Sequence, residues 1–205
     1  MFSADSSSRE LQTLPVAGGG LCYAEAFLSP AEADASLAAL LREVPWQQSE
    51  IRLYGRTVRE PRLGCWMGDP GAVYRYSGTV FRPEPWIAPV LGLKRAVEAA
   101  TGQAFNSVLL NLYRDGRDAM GWHSDDEPEL GPEPVIASVS LGGVRRFLLR
   151  ERLAGARSSG IALAHGSLLV MAGDLQQRYR HAVPRTAKPV AARVNLTFRR
   201  ILVPA

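Results

Sequence analysis

One stretch of the chain alternates without a break. In Arg193-Val194-Asn195-Leu196-Thr197-Phe198-Arg199 the four polar residues share one face of an extended strand, and Val194, Leu196 and Phe198 share the other. That period suits a strand with one apolar face on a core and does not suit a helix. Similar short runs follow one another from residue 103 onward. Strands are predicted at 105–113, 135–141, 145–150, 161–164, 167–171, 181–183 and 193–203. Strands this short and this closely spaced fold as a β-sandwich or jelly-roll barrel.

The first half has a different texture. Ser29-Pro30-Ala31-Glu32 is a capping box with proline in the first helical turn, Leu37, Leu40, Leu41 and Val44 follow at helical spacing, and Pro45 closes the element. A second helix is predicted from Trp86 to Ala100, with Gly102 as its C-terminal cap. Between the two helices, residues 51–83 are basic, aromatic and broken by Gly and Pro, which predicts short strands and loops. Residues 1–20, Ser-rich then Gly-rich, are expected to form a mobile N-terminal arm or a loose first strand. The expectation is an α+β chain with one catalytic domain over 21–205. Residues 21–102 form its helical layer and 103–203 its β core.

Composition narrows the setting. The 205 residues are 46% hydrophobic, enough to bury a full core, and carry a net charge of +4. All cations but Lys94 and Lys188 are arginines, whose planar fork fits carboxylates and phosphates. Cys22 and Cys65 form no C-x-x-C pair, so neither a zinc ribbon nor a disulfide framework is expected. With no secretory signal or membrane-length apolar run, the expectation is a cytoplasmic, intracellular protein with no membrane partner. No obligate protein partner is evident, and a monomer is expected.

The sharpest chemical feature is Trp122-His123-Ser124-Asp125, with His181 far downstream. In a strand, His123 and Asp125 point the same way, their Cα atoms roughly 6.5–7 Å apart, and can converge on one cation. His181 supplies a third ligand from another strand. Two histidines and one carboxylate with open positions make the facial triad of non-haem Fe(II) oxygenases. The same set can hold zinc and activate water. A bare H-x-D match is also common on ordinary surfaces, so the neighbouring chemistry has to decide. His165, before Gly166 in a turn, is read as structural or as a support behind the metal ligands. The polar face of 193–199 offers Arg193 and Arg199 to a dicarboxylic co-substrate, or one of them to the acidic ligand. Asn111 and Tyr113 share a face and can donate further hydrogen bonds.

At these residues the chain resembles the AlkB family of nucleic-acid demethylases. The resemblance is carried by NLYRDG (Asn111–Gly116), WHSDDEPELG (Trp122–Gly131), PVIASVSLGGVRRFLLR (Pro134–Arg150), GSLLVMAG (Gly166–Gly173), RHAVPR (Arg180–Arg185) and RVNLTFRR (Arg193–Arg200). EPRLGCWMGD (Glu60–Asp69) and TGQAFNSVLLN (Thr101–Asn111) match as well. It spans about residues 45–203 in unbroken motif order.

The resemblance implies a double-stranded β-helix (jelly-roll) core, N-terminal helices packed on one sheet, and a nucleotide-recognition lid. It implies Fe(II) on His123, Asp125 and His181, with 2-oxoglutarate and O2 as co-substrates. Arg193 takes the distal 2-oxoglutarate carboxylate. Arg199 stands near the metal-proximal end, by way of Asp125, and Asn111, Tyr113, Asn195 and Thr197 support. The implied reaction removes methyl groups from bases such as 1-methyladenine and 3-methylcytosine in DNA, or RNA, giving succinate, CO2 and formaldehyde. A protein side chain or small metabolite is the alternative substrate.

A cationic methylated base favours a nearby carboxylate. Glu127 is the expected one, with Asp126 read as a solvated turn residue. Trp66, Tyr74 and Tyr76 are expected to stack on nucleotides, and the arginines of residues 52–82, Arg62 among them, to hold backbone phosphates. Val135, Ile136 and Val139 are expected to wall the site off from water.

Overall fold

The computed structural model describes residues 10–18, 20–53, 56–72, 74–76, 79–81 and 83–202; for 51–53, 56, 74–76 and 79–81 it describes the backbone alone. Helix α1 runs Pro30–Glu43 and starts as predicted: Ser29 Oγ accepts from the Glu32 N–H, and the Glu32 carboxylate accepts from the Ser29 N–H at 2.9 Å. Helix α2 runs Ala88–Thr101 and ends on Gly102 at φ 67°, whose N–H is donated to Glu98 O. It starts two residues later than predicted. Pro89 belongs in the first turn, where its missing N–H costs nothing, while Trp86 stays outside and donates its indole N–H to Asp69 at 2.8 Å.

The strands are β1 (Gln12–Thr13), β2 (Leu21–Ala24), β3 (Glu50–Leu53), β4 (Arg56–Arg59), β5 (Leu63–Gly68), β6 (Tyr74–Tyr76), β7 (Thr79–Phe81), β8 (Ser107–Tyr113), β9 (Met120–His123), β10 (Ile136–Gly142), β11 (Arg145–Glu151), β12 (Ser159–Leu163), β13 (Ser167–Met171), β14 (Tyr179–Val183) and β15 (Arg193–Arg199). They form a seven-stranded sheet, β1-β2-β13-β10-β15-β8-β5, and a four-stranded sheet, β12-β11-β14-β9. β3 pairs with β4 and β6 with β7 as separate ribbons, and among the described residues the pairings between these strands are antiparallel. A four-residue helix, α3 (Leu175–Arg178), leads into β14.

Two apolar clusters hold the layers. Val90, Leu93 and Val97 of α2 and Leu40 of α1 pack on Val108, Leu110, Val139, Leu196 and Phe198 of the larger sheet. A second cluster fills the space between the sheets, with Ile136, Leu169 and Met171 against Phe147, Leu149, Leu163 and Val183. The apolar face of β15 therefore turns toward the helices and its polar face into the sandwich. All seven residues of β15 are buried. Four polar side chains facing a closed interior need partners or a ligand.

Several expectations change. Of the two readings of the N-terminal segment, residues 10–18 take the strand: β1 extends the larger sheet through β2, and Tyr179 Oη donates to Ala17 O at 3.1 Å. An edge strand's free N–H and C=O groups make such a segment adhere. The short strands expected between the helices are present, and one of them, β5, is the opposite edge strand, pairing with β8 from Leu63 to Gly68. Val135 and Val139 belong to the helix-facing cluster, not to a wall around the site; of the three residues expected there, Ile136 alone lies between the sheets. Strand alternation dictates this, since Ser138 and Ser140 occupy the inward positions beside Ile136.

Ser29→Ala removes one half of the capping box. It should cost about 1 kcal/mol of stability in urea unfolding while leaving metal binding unchanged.

Candidate metal and co-substrate site

His123 and His181 face each other across the β9–β14 ladder. Their rings meet edge to face with centroids 4.2 Å apart, and Phe147 stacks on His181 at 5.2 Å. Asp125 completes the cluster: ligand atoms of His123, Asp125 and His181 lie within 4.8 Å of one another. Each histidine turns Nε2 toward the carboxylate, at 3.9 Å from Oδ1 for His123 and 3.9 Å from Oδ2 for His181. His123 Nδ1 sits 2.9 Å from Gly121 O, which as acceptor puts the proton on Nδ1 and leaves Nε2 free to ligate. Asp125 reaches this place differently from the expectation. β9 ends at His123, so Asp125 lies beyond the ladder rather than at an alternate strand position.

The electrostatics suit a cation. Burial alone would push the Asp125 carboxyl up, but the Arg199 guanidinium opposes it, and the group is held below the usual range. Arg199 Nη2 donates to Asp125 Oδ1 at 2.7 Å, and Oδ2 has no hydrogen-bond partner. His181 is pushed down to about 3, by burial first and then by His123 and Arg199, so it is neutral at neutral pH. A buried carboxylate with one free oxygen and two imidazole Nε2 atoms aimed at it is a donor set that fits Fe(II).

Beside the triad, Arg193 is 1% exposed. Its Nη2 donates to Ser140 Oγ at 2.8 Å, while Nε and Nη1 meet no partner among the described residues. Arg193 and Arg145 flank the Tyr113 ring at 5.1 and 5.5 Å. Arg145 is spent on the carbonyls of Asp115, Asp118 and Pro184, so Arg193 is the cation with capacity to spare. A buried guanidinium with free donors, in a cavity that also holds the triad, fits an anionic end of a small diacid. Leu109, Met120, Phe147, Leu163, Met171 and Val183 supply the apolar wall of that cavity.

The other expected contacts divide. Asn111 lines the cavity, and Arg62 Nε donates to its Oδ1 at 2.8 Å, which turns the Asn111 amide N–H groups elsewhere. Asn195 is occupied by the protein: its Nδ2 donates to Ser138 Oγ and Val139 O, and its Oδ1 accepts from Thr197 Oγ1. Arg62 was expected among phosphate contacts and is instead 8% exposed, tied to Asn111 and Glu60. Trp66 lies on β5 opposite Leu109, half-buried, with its indole N–H donated to Ala72 O at 3.3 Å. Glu127 is half-buried two residues past Asp125, whereas Asp126 is exposed and ion-paired with Arg152. Tyr74 and Tyr76 lie in β6, with side chains outside the described set. His165 takes the structural role of its two readings: its Nδ1 accepts from the Gly142 N–H at 2.7 Å and its Nε2 lies 3.2 Å from Asp34.

The chain matches the family model of the 2OG-Fe(II) oxygenase superfamily over residues 20–199. It is 39% identical to human alpha-ketoglutarate-dependent dioxygenase alkB homolog 3 over 94% of this chain and 70% of that protein. It is 38% identical to human DNA oxidative demethylase ALKBH2 over 89% of this chain and 74% of that protein. The chain belongs to the AlkB family. A solved structure described as that of OsALKBH1 shares the fold, with a TM-score of 0.62 at 18% identity, over 93% of this chain and 99% of that one. This AlkB-family chain is thus a dioxygenase built for Fe(II) and 2-oxoglutarate on a jelly-roll core.

Reading the sequence missed the side chains that complete the site. Gln176 contacts Asp125, Ser140 contacts Arg193, and Phe147 stacks on His181. Ser140 had a signal, since it alternates with Val139 and Leu141 on an apolar strand. Gln176 had none, because α3 is too short to show a period. On the outer face of the smaller sheet, Arg150 and Arg180 are cross-strand partners, and Arg150 lies 4.3 Å over the ring of the exposed Trp122. With Arg152 they line a shallow cleft of about 430 Å³.

The depressed His181 has a consequence for stability. A folded value below the ordinary 6.5 means that its contribution is complete above pH 6.5 and is lost as pH falls toward 3. In metal-stripped protein, His181→Gln should flatten the acid side of the stability–pH curve by up to about 1.4 kcal/mol per pH unit. Identical slopes for the two proteins between pH 6.5 and 4 would show that His181 is not held neutral by the fold.

Proposed function

We propose that this dioxygenase removes methyl groups from alkylated bases of DNA, of the 1-methyladenine and 3-methylcytosine type, releasing formaldehyde as 2-oxoglutarate goes to succinate and CO2. The observation that carries the reading is the buried pair of sites: a His-Asp-His cluster, and an arginine with free donors in the same cavity. Names of relatives at 38–39% identity, a dioxygenase and a DNA oxidative demethylase, point to the same substrate class.

When bound, Fe(II) supplies oxygen activation at the triad, and the N-methyl group is hydroxylated and leaves as formaldehyde. The chain's own part is binding, orientation and exclusion of water. His123, Asp125 and His181 hold the metal. Arg193 takes the distal carboxylate of 2-oxoglutarate by a charge-assisted fork, beside Tyr113. Arg199 keeps Asp125 ionised and fixes one of its oxygens, leaving the other for the metal. Asn195 and Thr197 hold the cavity floor, and Asn111, oriented by Arg62, faces the co-substrate.

A base inside a duplex cannot reach this buried centre, so it is flipped out or already single-stranded. Trp66, pinned through its indole N–H, gives such a base an aromatic surface, and Glu127 gives a cationic base its carboxylate. Asp126 is committed to Arg152 and plays no such part. Arg150 and Arg180, beside exposed Trp122, suit the phosphates of the strand outside the cavity. We also read the protein as an intracellular monomer; both cysteines are free.

The test is a panel of methylated oligonucleotides, single- and double-stranded, in both sugars, with Fe(II) and 2-oxoglutarate. Formaldehyde release from a 3-methylcytosine or 1-methyladenine oligonucleotide is expected, with none from unmodified strands. Turnover of 2-oxoglutarate that no oligonucleotide stimulates would redirect the search to a protein or metabolite substrate. Within the panel, Arg193→Ala should raise the 2-oxoglutarate KM by about 30-fold or more while oligonucleotide binding persists. Arg150→Ala with Arg180→Ala should leave basal 2-oxoglutarate turnover intact. It should reduce the slope of log affinity against log salt by about 2 on duplex DNA.

A further inference from the structure

The two histidines of the triad are placed by the β9–β14 ladder, where they are direct partners. Asp125 has no ladder, since β9 ends at His123. Its position nevertheless has to be as well defined as theirs, because one carboxylate oxygen is committed to Arg199 and the other must reach the metal. The contacts that fix it come from the segment just ahead of His181. The Asp125 N–H is donated to Gln176 Oε1 at 3.0 Å. On one side, Ser124 Oγ donates to Tyr179 O at 2.7 Å. On the other, Asp126 is ion-paired with Arg152, whose Nη2 also donates to Gln176 O at 3.1 Å.

Gln176 is the centre of this arrangement. It is 1% exposed, and both ends of its amide are engaged: Oε1 by Asp125, and Nε2 by Met171 Sδ at 3.4 Å. A buried glutamine with its donor on a thioether, a weak acceptor, is not placed there for the strength of that bond. The thioether instead orients the amide, so that Oε1 is presented to the Asp125 N–H.

We propose that Gln176 is a positioning residue of the metal centre. It clamps the main chain at Asp125, with Ser124 and Arg152 as flanking ties, so that the carboxylate divides its oxygens between Arg199 and the metal. The clamp does for Asp125 what the β ladder does for His123 and His181. It also ties the acid ligand to the short segment that carries His181, so the two move as one body. The proposal rests on the reading of the triad as the metal site.

The alternative is that Gln176 merely satisfies a buried N–H. Both roles would lower the stability of the fold on substitution, so stability alone does not distinguish them; metal affinity does. The experiment measures Co(II) binding by visible absorption, with 2-oxoglutarate present, for the wild type, Gln176→Leu and Arg152→Ala. Thermal unfolding of each chelator-stripped protein runs alongside. Leucine keeps the volume and removes the acceptor. Gln176→Leu should bind Co(II) about tenfold or more weakly, in line with the loss of groups that orient metal ligands. The Fe(II) concentration for half-maximal turnover should rise by the same factor. Arg152→Ala, at the surface, should keep the Tm of the stripped protein and bind Co(II) about threefold more weakly.

If Gln176→Leu lowers the Tm of stripped protein and keeps wild-type Co(II) affinity, the residue is structural and the proposal is overturned. If Gln176→Leu does not fold, Arg152→Ala decides, and unchanged affinity there overturns the proposal as well. A wild-type protein that binds no Co(II) overturns the metal reading itself, and the clamp with it.

Discussion

Between the sheets, one carboxylate and one guanidinium share a space that excludes water. Asp125 is 3% exposed and Arg199 5%, and the guanidinium keeps the carboxylate ionised there. Stripping water from either ion alone is costly, and the pair recovers that cost only with good geometry and further partners. The rest of the site follows from this constraint. Arg199 spends one nitrogen on Oδ1, which leaves Oδ2 as the oxygen able to meet a cation together with the two imidazoles. Replacing Arg199 with a neutral residue would leave burial to act on Asp125 alone, raise its carboxyl and weaken its hold on any divalent metal.

A second cation, Arg193, lies six residues away on the same strand face. It is buried more completely than Arg199 and, among the described residues, has no carboxylate of its own. Arg145, from β11, approaches the same tyrosine ring and turns its donors onto three backbone carbonyls instead. The two arginines look alike in sequence and differ in what they have left to give. A buried cation with donors to spare is expensive for a fold to carry, and an anionic co-substrate that completes it turns that expense into binding selectivity.

How much of this was legible depended on period and spacing. The alternation of residues 193–199 revealed the strand and its two faces, and both turned out to be buried, the apolar one against the helices and the polar one inside the sandwich. The capping box at Ser29 and the glycine cap at Gly102 are local chemistry and read directly. Asp125 was placed correctly beside His123 for the wrong local reason: a strand continuing through it would have served, and the chain uses side-chain ties instead. β5 was obscured by its glycines and arginine-rich surroundings, and Arg62 by the assumption that a basic stretch faces solvent. Contacts such as Gln176 to Asp125 depend on where distant segments meet, and no local pattern encodes that.

The architecture divides rigidity from adaptability along the chain. The triad histidines and the co-substrate arginine all project from ladders with partners on both sides, β14 between β11 and β9, and β15 between β10 and β8, except that β9 is an edge. His123 therefore stands on the least supported of these strands, and its hydrogen bond to Gly121 O is what holds its ring in the ligating tautomer. That edge is also where Trp122 turns outward toward Arg150 while His123 turns inward. One strand thus presents the metal ligand on its inner face and an aromatic–arginine pair on its outer face. A polyanion lying along the outer face would press on the same backbone that aims His123. The two faces of β9 thus share one backbone, and that strand has a ladder partner on one side alone, β14.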